Sequence, residues 1–277
     1  MGTEIMIGDC REILATLPSG SVDSCVTSPP YYGLRDYGVE TQIGLEQSPE
    51  EYVAEIVGVF REVKRILKDD GTLWLNLGDS TYSGNGRPTQ PDTRSPNRNF
   101  RRSMYHWLDR PGAGLPKKSL LGIPWRVAHA LQQDGWTIRQ EIIWHRTSAF
   151  VEPSVKDRPY RQHETVFLMS KSRWYWFDRS ELSEESVWQI EPERAVRKHI
   201  APFPQELVRR CIQSGCKPGG TVIDPFAGSG TTGLVAEQLG RKAICIELNP
   251  EYAHLAQSRT MALFSATHPS GGDRHGE

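Results

Sequence analysis

Residues Thr221 to Asn249, TVIDPFAGSGTTGLVAEQLGRKAICIELN, constrain this chain more than any other stretch. A β-branched apolar run (Thr221, Val222, Ile223) stops at Asp224. A turn carrying Gly228 and Gly230 follows, and apolar residues return at helical spacing at Leu234, Val235 and Leu239. Gly240 stops that helix, Lys242 to Ile246 form a second apolar run, and Glu247 closes it. Strand, tight loop, helix and strand make half of a nucleotide-binding α/β unit. Two glycines allow backbone to approach a ligand closely, and an acid ending the second strand is placed to bond a ribose. A dinucleotide would set its pyrophosphate on the helix N-terminus. Here, however, Asp224 opens the loop, and the pattern is G-S-G-T-T rather than G-x-G-x-x-G. A carboxylate at that point repels phosphate. It suits the ammonium and sulfonium of S-adenosyl-L-methionine (SAM), which has a ribose and no phosphate, so Asp224 is expected at the ammonium and Glu247 at the ribose hydroxyls.

The N-terminal half repeats the alternation. Ile5 to Ile7 read as a strand ending at Gly8-Asp9, Ile13, Leu14 and Leu17 as a helical face, and Val22 to Thr27 as a second strand. That strand runs into Ser28-Pro29-Pro30-Tyr31-Tyr32, where two prolines forbid ladder and helix bonding and leave a fixed, ligand-facing loop. Ser48, Pro49 and Glu51 open a helix with a capping box, and Tyr52, Ile56, Phe60, Val63 and Leu67 give it one buried stripe. Thr72 to Leu77, Trp136 to His145, Thr165 to Met169 and Trp174 to Phe177 read as strands, Ile123 to Gln133 and Pro204 to Gln213 as helices, and Ser186 to Ile190 as the start of a link back. Alternating strands and helices in both halves specify a doubly wound α/β domain with its ligand crevice at the strand C-terminal ends. The C-terminal unit must then pack beside the N-terminal one to bring Asp9, Ser28, Asp224 and Glu247 to one edge.

The five cysteines, Cys10, Cys25, Cys211, Cys216 and Cys245, include no C-x-x-C pair and read as buried reduced thiols, so no metal is expected. With no basic leader and no membrane-length apolar run, the expectation is a cytoplasmic protein away from membranes.

Thr27-Ser28-Pro29-Pro30-Tyr31 together with Asp224-Pro225-Phe226-Ala227-Gly228-Ser229-Gly230 resembles the DNA amino-methyltransferases, in the β-class order with the catalytic motif ahead of the SAM motif. The resemblance covers nearly the whole chain. It implies a mostly parallel, seven-stranded, Rossmann-like methyltransferase sheet, circularly permuted, and SAM as methyl donor. It also implies double-stranded DNA as substrate and a homodimer, while leaving open a partner restriction nuclease. The residues fit the chemistry, because a base's exocyclic amine has a lone pair delocalised into the ring. Acceptors on its two N–H groups pull it toward tetrahedral geometry and aim the lone pair at the methyl group. Ser28 Oγ and the Pro29 carbonyl are the candidate acceptors, Pro30 fixes that carbonyl, and Tyr31 can stack on a flipped base. Ser before Pro-Pro-Tyr resembles the enzymes that modify the 4-amino group of cytosine, with the 6-amino group of adenine as the alternative. Methylation at cytosine carbon 5 would need a Pro-Cys pair, which this loop lacks.

By the same resemblance, Asp9 accepts from the donor's adenine amine, a role that competes with plain helix capping, and Phe203 covers the methionine end of SAM. Phe226, Thr231 and Asn249 belong to the same cofactor set. The segment from Ser80 to Leu120 has no period. Its Arg87, Arg94, Arg98, Arg101, Arg102, Arg110, Lys117 and Lys118 face only Asp92 and Asp109, in a chain of net charge −1. That local basicity, interleaved with Asn97, Asn99, Tyr105, His106 and Trp107, points to an irregular DNA-recognition insertion. The expected organisation is a catalytic half at 1–79, the insertion at 80–120, the remainder at 121–264 with its SAM unit at 201–252, and a flexible tail at 265–277. Two competing functions are an NAD-dependent dehydrogenase, which Asp224 and the Ser28–Tyr31 loop oppose, and a DNA-binding regulator that kept the fold without turnover.

Overall fold

The computed structural model describes residues 2–34, 39, 41–82, 115–148, 156–180, 185–193 and 203–267, with side chains as far as 261. In chain order the elements are β1 (Thr3–Ile7), α1 (Cys10–Thr16), β2 (Val22–Thr27), α2 (Pro49–Ile66), β3 (Leu67–Leu77), α3 (Ile123–Gln133) and β4 (Thr137–Arg146). There follow β5 (His163–Ser170), β6 (Val187–Ile190), α4 (Gln205–Gly215), β7 (Thr221–Asp224), α5 (Thr231–Gln238), β8 (Lys242–Glu247) and α6 (Pro250–Thr267). The strands form one sheet in the order β1-β8-β7-β2-β3-β5-β4-β6. Among them only β5 is reversed. The C-terminal pair β7 and β8 thus lies between β1 and β2, and the ends of β2, β7 and β8 meet at one edge as the alternation predicts.

The sheet has eight strands rather than the seven expected. The added one is β6, four residues paired parallel to the edge of β4, with Trp188 and Ile190 turned inward and Val187 and Gln189 outward. Trp174 to Phe177, expected as a strand, is not one. The Trp176 N–H bonds the Asp70 carbonyl at the start of β3 and the Asp178 N–H bonds the Ser214 carbonyl at the end of α4, so this backbone makes single bonds to two elements instead of a ladder with one strand.

Period-2 alternation sorts the core into two layers. Leu73, Leu75 and Leu77 of β3 and Phe167 and Met169 of β5 pack with α1, α2 and α3 on one face. Trp74 of β3, Val26 of β2, and Val166 and Leu168 of β5 pack with α4 and α5 on the other. The stripe of α2 is buried as its spacing requires, at Tyr52, Ile56, Val59, Phe60, Val63 and Ile66. Each such side chain contributes about 1.5–3 kcal/mol on burial. Ser48 Oγ accepts the Glu51 N–H at 3.1 Å, and the Glu51 carboxylate reaches back to the Gln47 N–H at 2.8 Å, a capping pair set one residue earlier than the usual box. All five cysteines are buried and free, and burial pushes the Cys216 thiol up to about 12, so it packs as a neutral group.

Candidate active site

Ser28 leaves the C-terminal end of β2, the strand buried along its whole length at the centre of the sheet. The Pro30 carbonyl accepts the Tyr52 hydroxyl at 2.8 Å, tying the loop to the first turn of α2. The Pro29 carbonyl has no hydrogen-bond donor among the described residues. Behind the loop Gly44 has φ +106°, and a Cβ there would press on Pro30 and the Tyr31 carbonyl at 3.3 Å.

Alternation puts two further polar groups beside Ser28. Asn76 shares the face of Trp74, Glu164 that of Val166, and Ser28 that of Val26, and Asn76 is the register partner of Val166. The Asn76 amide nitrogen donates to the Tyr31 hydroxyl at 2.9 Å, to Glu164 Oε2 at 3.0 Å and to Ser28 Oγ at 3.3 Å. The Ser28 hydroxyl donates to the Tyr31 oxygen at 3.4 Å, and the Tyr31 hydroxyl donates to Glu164 Oε2 in a short bond. Arg146 of β4 stands 3.5 Å from the other Glu164 oxygen. Asn76 Oδ1 is buried with no partner among the described residues. The Tyr31 ring lies against Gly78, where a Cβ would come within 2.3 Å of it, so any larger residue at 78 would displace Tyr31.

The cofactor-type loop abuts this cluster. Asp224 is buried and spends both oxygens internally, Oδ1 on the Thr27 hydroxyl at 2.6 Å and the Phe226 N–H at 3.0 Å, Oδ2 on the Thr232 hydroxyl at 2.6 Å. Burial pushes its pKa up, against the pull of those donors. Asp224 therefore joins the residue before Ser28 to the loop and to α5, and it keeps little accepting capacity for an ammonium. Glu247 is half-buried, and burial raises its pKa too. Its Oε2 accepts the Gly228 N–H at 2.7 Å and its Oε1 the Asn249 N–H at 2.8 Å, leaving a lone pair on each oxygen for vicinal hydroxyls. Two carboxylates, with the Gly228 amide already given to one, make a poor phosphate cradle and a good fit to a phosphate-free, cationic nucleoside.

The other expected residues also make contacts within the fold. Gly230, at φ +75°, caps α5, and a Cβ there would meet Ala256 Cβ at 2.6 Å, so its bareness serves packing of α6. Thr231 is buried at the start of α5, and Phe226 and Phe203 pack partly buried on the two core layers. Asn249 Oδ1 caps α6 through the Glu251 N–H at 2.9 Å. Asp9 caps α1 through the Arg11 N–H at 2.9 Å, and the Arg11 guanidinium grips the same carboxylate. Burial opposes that grip, yet the Asp9 pKa stays below the ordinary value. Of the basic set, Arg87, Arg94, Arg98, Arg101, Arg102 and Arg110 lie outside the described residues, as does the tail beyond 267. The insertion's two ends are zipped together, Tyr82 N–H to Ser119 O at 2.8 Å and Lys118 N–H to Tyr82 O at 2.7 Å, so it issues from the C-terminal end of β3 beside Ser28. Lys118 pairs with Asp157 at 2.6 Å, and Lys117 is exposed.

Asn76, Gly78, Glu164 and Thr232 escape reading by motif, as does Arg259, whose guanidinium bonds the Ser229 carbonyl and hydroxyl at 2.8 Å. Asn76 alone left a signal: an amide in the otherwise apolar run Leu73-Trp74-Leu75-Asn76-Leu77. No group of three metal-ligating side chains occurs among the described residues, and no helix among them is long and apolar enough to cross a membrane.

A family model described as DNA methylase, covering N6 and N4 enzymes, matches residues 22–258. The Type II methyltransferase M.Cfr9I of Citrobacter freundii is 47% identical over 268 residues, spanning 93% of this chain and 87% of its own. Among solved structures, the PvuII DNA methyltransferase, cytosine-N4-specific, superposes with TM-score 0.70 at 25% identity, covering 94% of this chain and 86% of its own. The putative DNA modification methylase TTHA0409 of Thermus thermophilus, complexed with SAM, superposes with TM-score 0.66 at 26% identity, covering 97% and 95%.

Proposed function

The chain belongs to the N6/N4 family of DNA methylases, and on that premise we propose that it moves the methyl group of SAM onto the 4-amino group of a cytosine flipped out of double-stranded DNA at a specific site. The observation that carries this reading is the acceptor cluster at Ser28, tied through Thr27 and Asp224 to the loop that would hold the donor. SAM, when bound, supplies an electrophilic methyl on its sulfonium. The chain's part is to hold and orient. Glu247 would take the ribose hydroxyls, and Phe203 and Phe226 would pack on the donor. Ser28 Oγ and the Pro29 carbonyl would accept the two amine N–H groups, while Tyr31 stacks on the base. A serine hydroxyl is a weak base, so Ser28 positions the amine and the proton leaves afterwards.

Two facts support cytosine: serine before Pro-Pro-Tyr, and the cytosine-N4 specificity in the name of the PvuII enzyme, which this fold resembles along 94% of its length. Adenine N6 is the second reading, because the matched family spans both amines. We assign target recognition to the insertion at 80–120, and place the enzyme as a homodimer in a restriction–modification setting. The test is to incubate purified protein with SAM and unmethylated DNA, digest to nucleosides and identify the product by mass spectrometry. N4-methylcytosine is expected. N6-methyladenine alone would overturn the choice of base, and no methylated nucleoside would overturn the reading.

A further inference from the structure

Ser28 is useful to a base amine only if its oxygen, not its proton, faces the incoming N–H groups. A hydroxyl can present either, and nothing within the loop decides which. The decision lies across the sheet. An ionised carboxylate only accepts, so Glu164 obliges the Tyr31 hydroxyl to donate to it. The Asn76 amide nitrogen donates to the Tyr31 oxygen at 2.9 Å, and the remaining lone pair there accepts the Ser28 proton at 3.4 Å. Asn76 cannot reverse this, since turning its amide would set an acceptor oxygen against the Glu164 carboxylate at 3.0 Å.

We propose that Glu164 is a positioning residue for the methyl transfer. It sets the direction of the chain Ser28 to Tyr31 to Glu164, so that the Ser28 proton is turned away from the target amine and its oxygen meets the amine as an acceptor. The inference rests on the reading of Ser28 as the amine's partner. Its sequence position gives no hint of it: Glu164 is 133 residues from Tyr31 and reaches it only through the pairing of β3 with β5.

Glu164→Gln keeps size and removes the charge. Its amide nitrogen can donate to the Tyr31 oxygen, which frees the Tyr31 proton to turn to Ser28 and the Ser28 proton to face the amine. The expected loss in kcat is on the order of 10- to 100-fold, the worth of a hydrogen bond to a charged group, with SAM affinity by calorimetry and DNA affinity unchanged. Tyr31→Phe retains the ring against Gly78 and breaks the same chain, so it should lose kcat to a similar degree, and it serves as the test if Glu164→Gln does not fold. The double variant should be no worse than the poorer single one, because both break one chain. Glu164→Asp, which keeps an acceptor-only charge at the cost of length, should outperform Glu164→Gln. Wild-type kcat in either single variant, losses that multiply in the double, or a defect confined to DNA affinity through Arg146 would overturn the proposal. The wild-type product nucleoside, measured in the same assay, separates the two failures. If the wild type methylates no base amine the functional reading falls, whereas normal wild-type product with an unimpaired Glu164→Gln sinks only this inference.

Discussion

At the scale of single residues, the two acids flanking the Gly loop look alike in the sequence and differ in the fold. Glu247 keeps a lone pair on each oxygen, whereas Asp224 gives both oxygens to Thr27, Phe226 and Thr232. Glu247→Ala should therefore weaken SAM binding in calorimetry by roughly 10-fold or more with a modest change in stability. Asp224→Ala leaves buried hydroxyl and amide donors unpaired and should cost about 2–4 kcal/mol in urea unfolding, with turnover falling as Thr27 loosens beside Ser28. An Asp224→Ala enzyme of wild-type stability, or Glu247→Ala with wild-type SAM affinity, would contradict these assignments. The contiguous motifs around Ser28 and Asp224 were legible from residue types alone. Glu164 and Thr232 were not, because each reaches the site by strand register or helix packing, which no local pattern encodes, and Asn76 showed only as an amide in an apolar run.

At the scale of elements, most strands and helices could be read from periodicity, and the failures have physical causes. Trp174 to Phe177 has strand-like composition, but its backbone and that of Asp178 make single bonds to Asp70 at the start of β3 and Ser214 at the end of α4. Val187 to Ile190 is short enough to pass for a connector until β4 offers it an edge. DNA recognition is proposed for the insertion, whose described ends are joined at Tyr82 and Lys118 near the sheet edge that carries Ser28. Replacing both Arg101 and Arg102 by alanine should weaken DNA binding at every salt concentration. It should also flatten the slope of log K against log salt by about two, one for each phosphate no longer neutralised, with SAM affinity unchanged. An unchanged slope in a salt titration would move DNA contact elsewhere, with the neighbouring loop that carries Lys156, Arg158 and Arg161 the next candidate.

At the scale of the whole molecule, the placement of β7 and β8 between β1 and β2 gives the chain its working geometry. The Ser28 loop near one end and the Asp224 loop near the other meet because both strands finish at the same edge, and a bond spanning 197 residues, Thr27 to Asp224, joins them. Alternation made the doubly wound class legible from the sequence; the order of strands came only with the structure, since helix-connected parallel strands permit several orders. In the proposed mechanism Ser28 acts in the transfer step rather than in binding. Its most direct test is single-turnover methyl transfer by Ser28→Ala, with enzyme, labelled SAM and target DNA pre-equilibrated at saturation. The expected transfer rate is lower by roughly a hundredfold or more, by analogy with loss of one oxyanion-hole donor, with both dissociation constants intact. Transfer at the wild-type rate would contradict it.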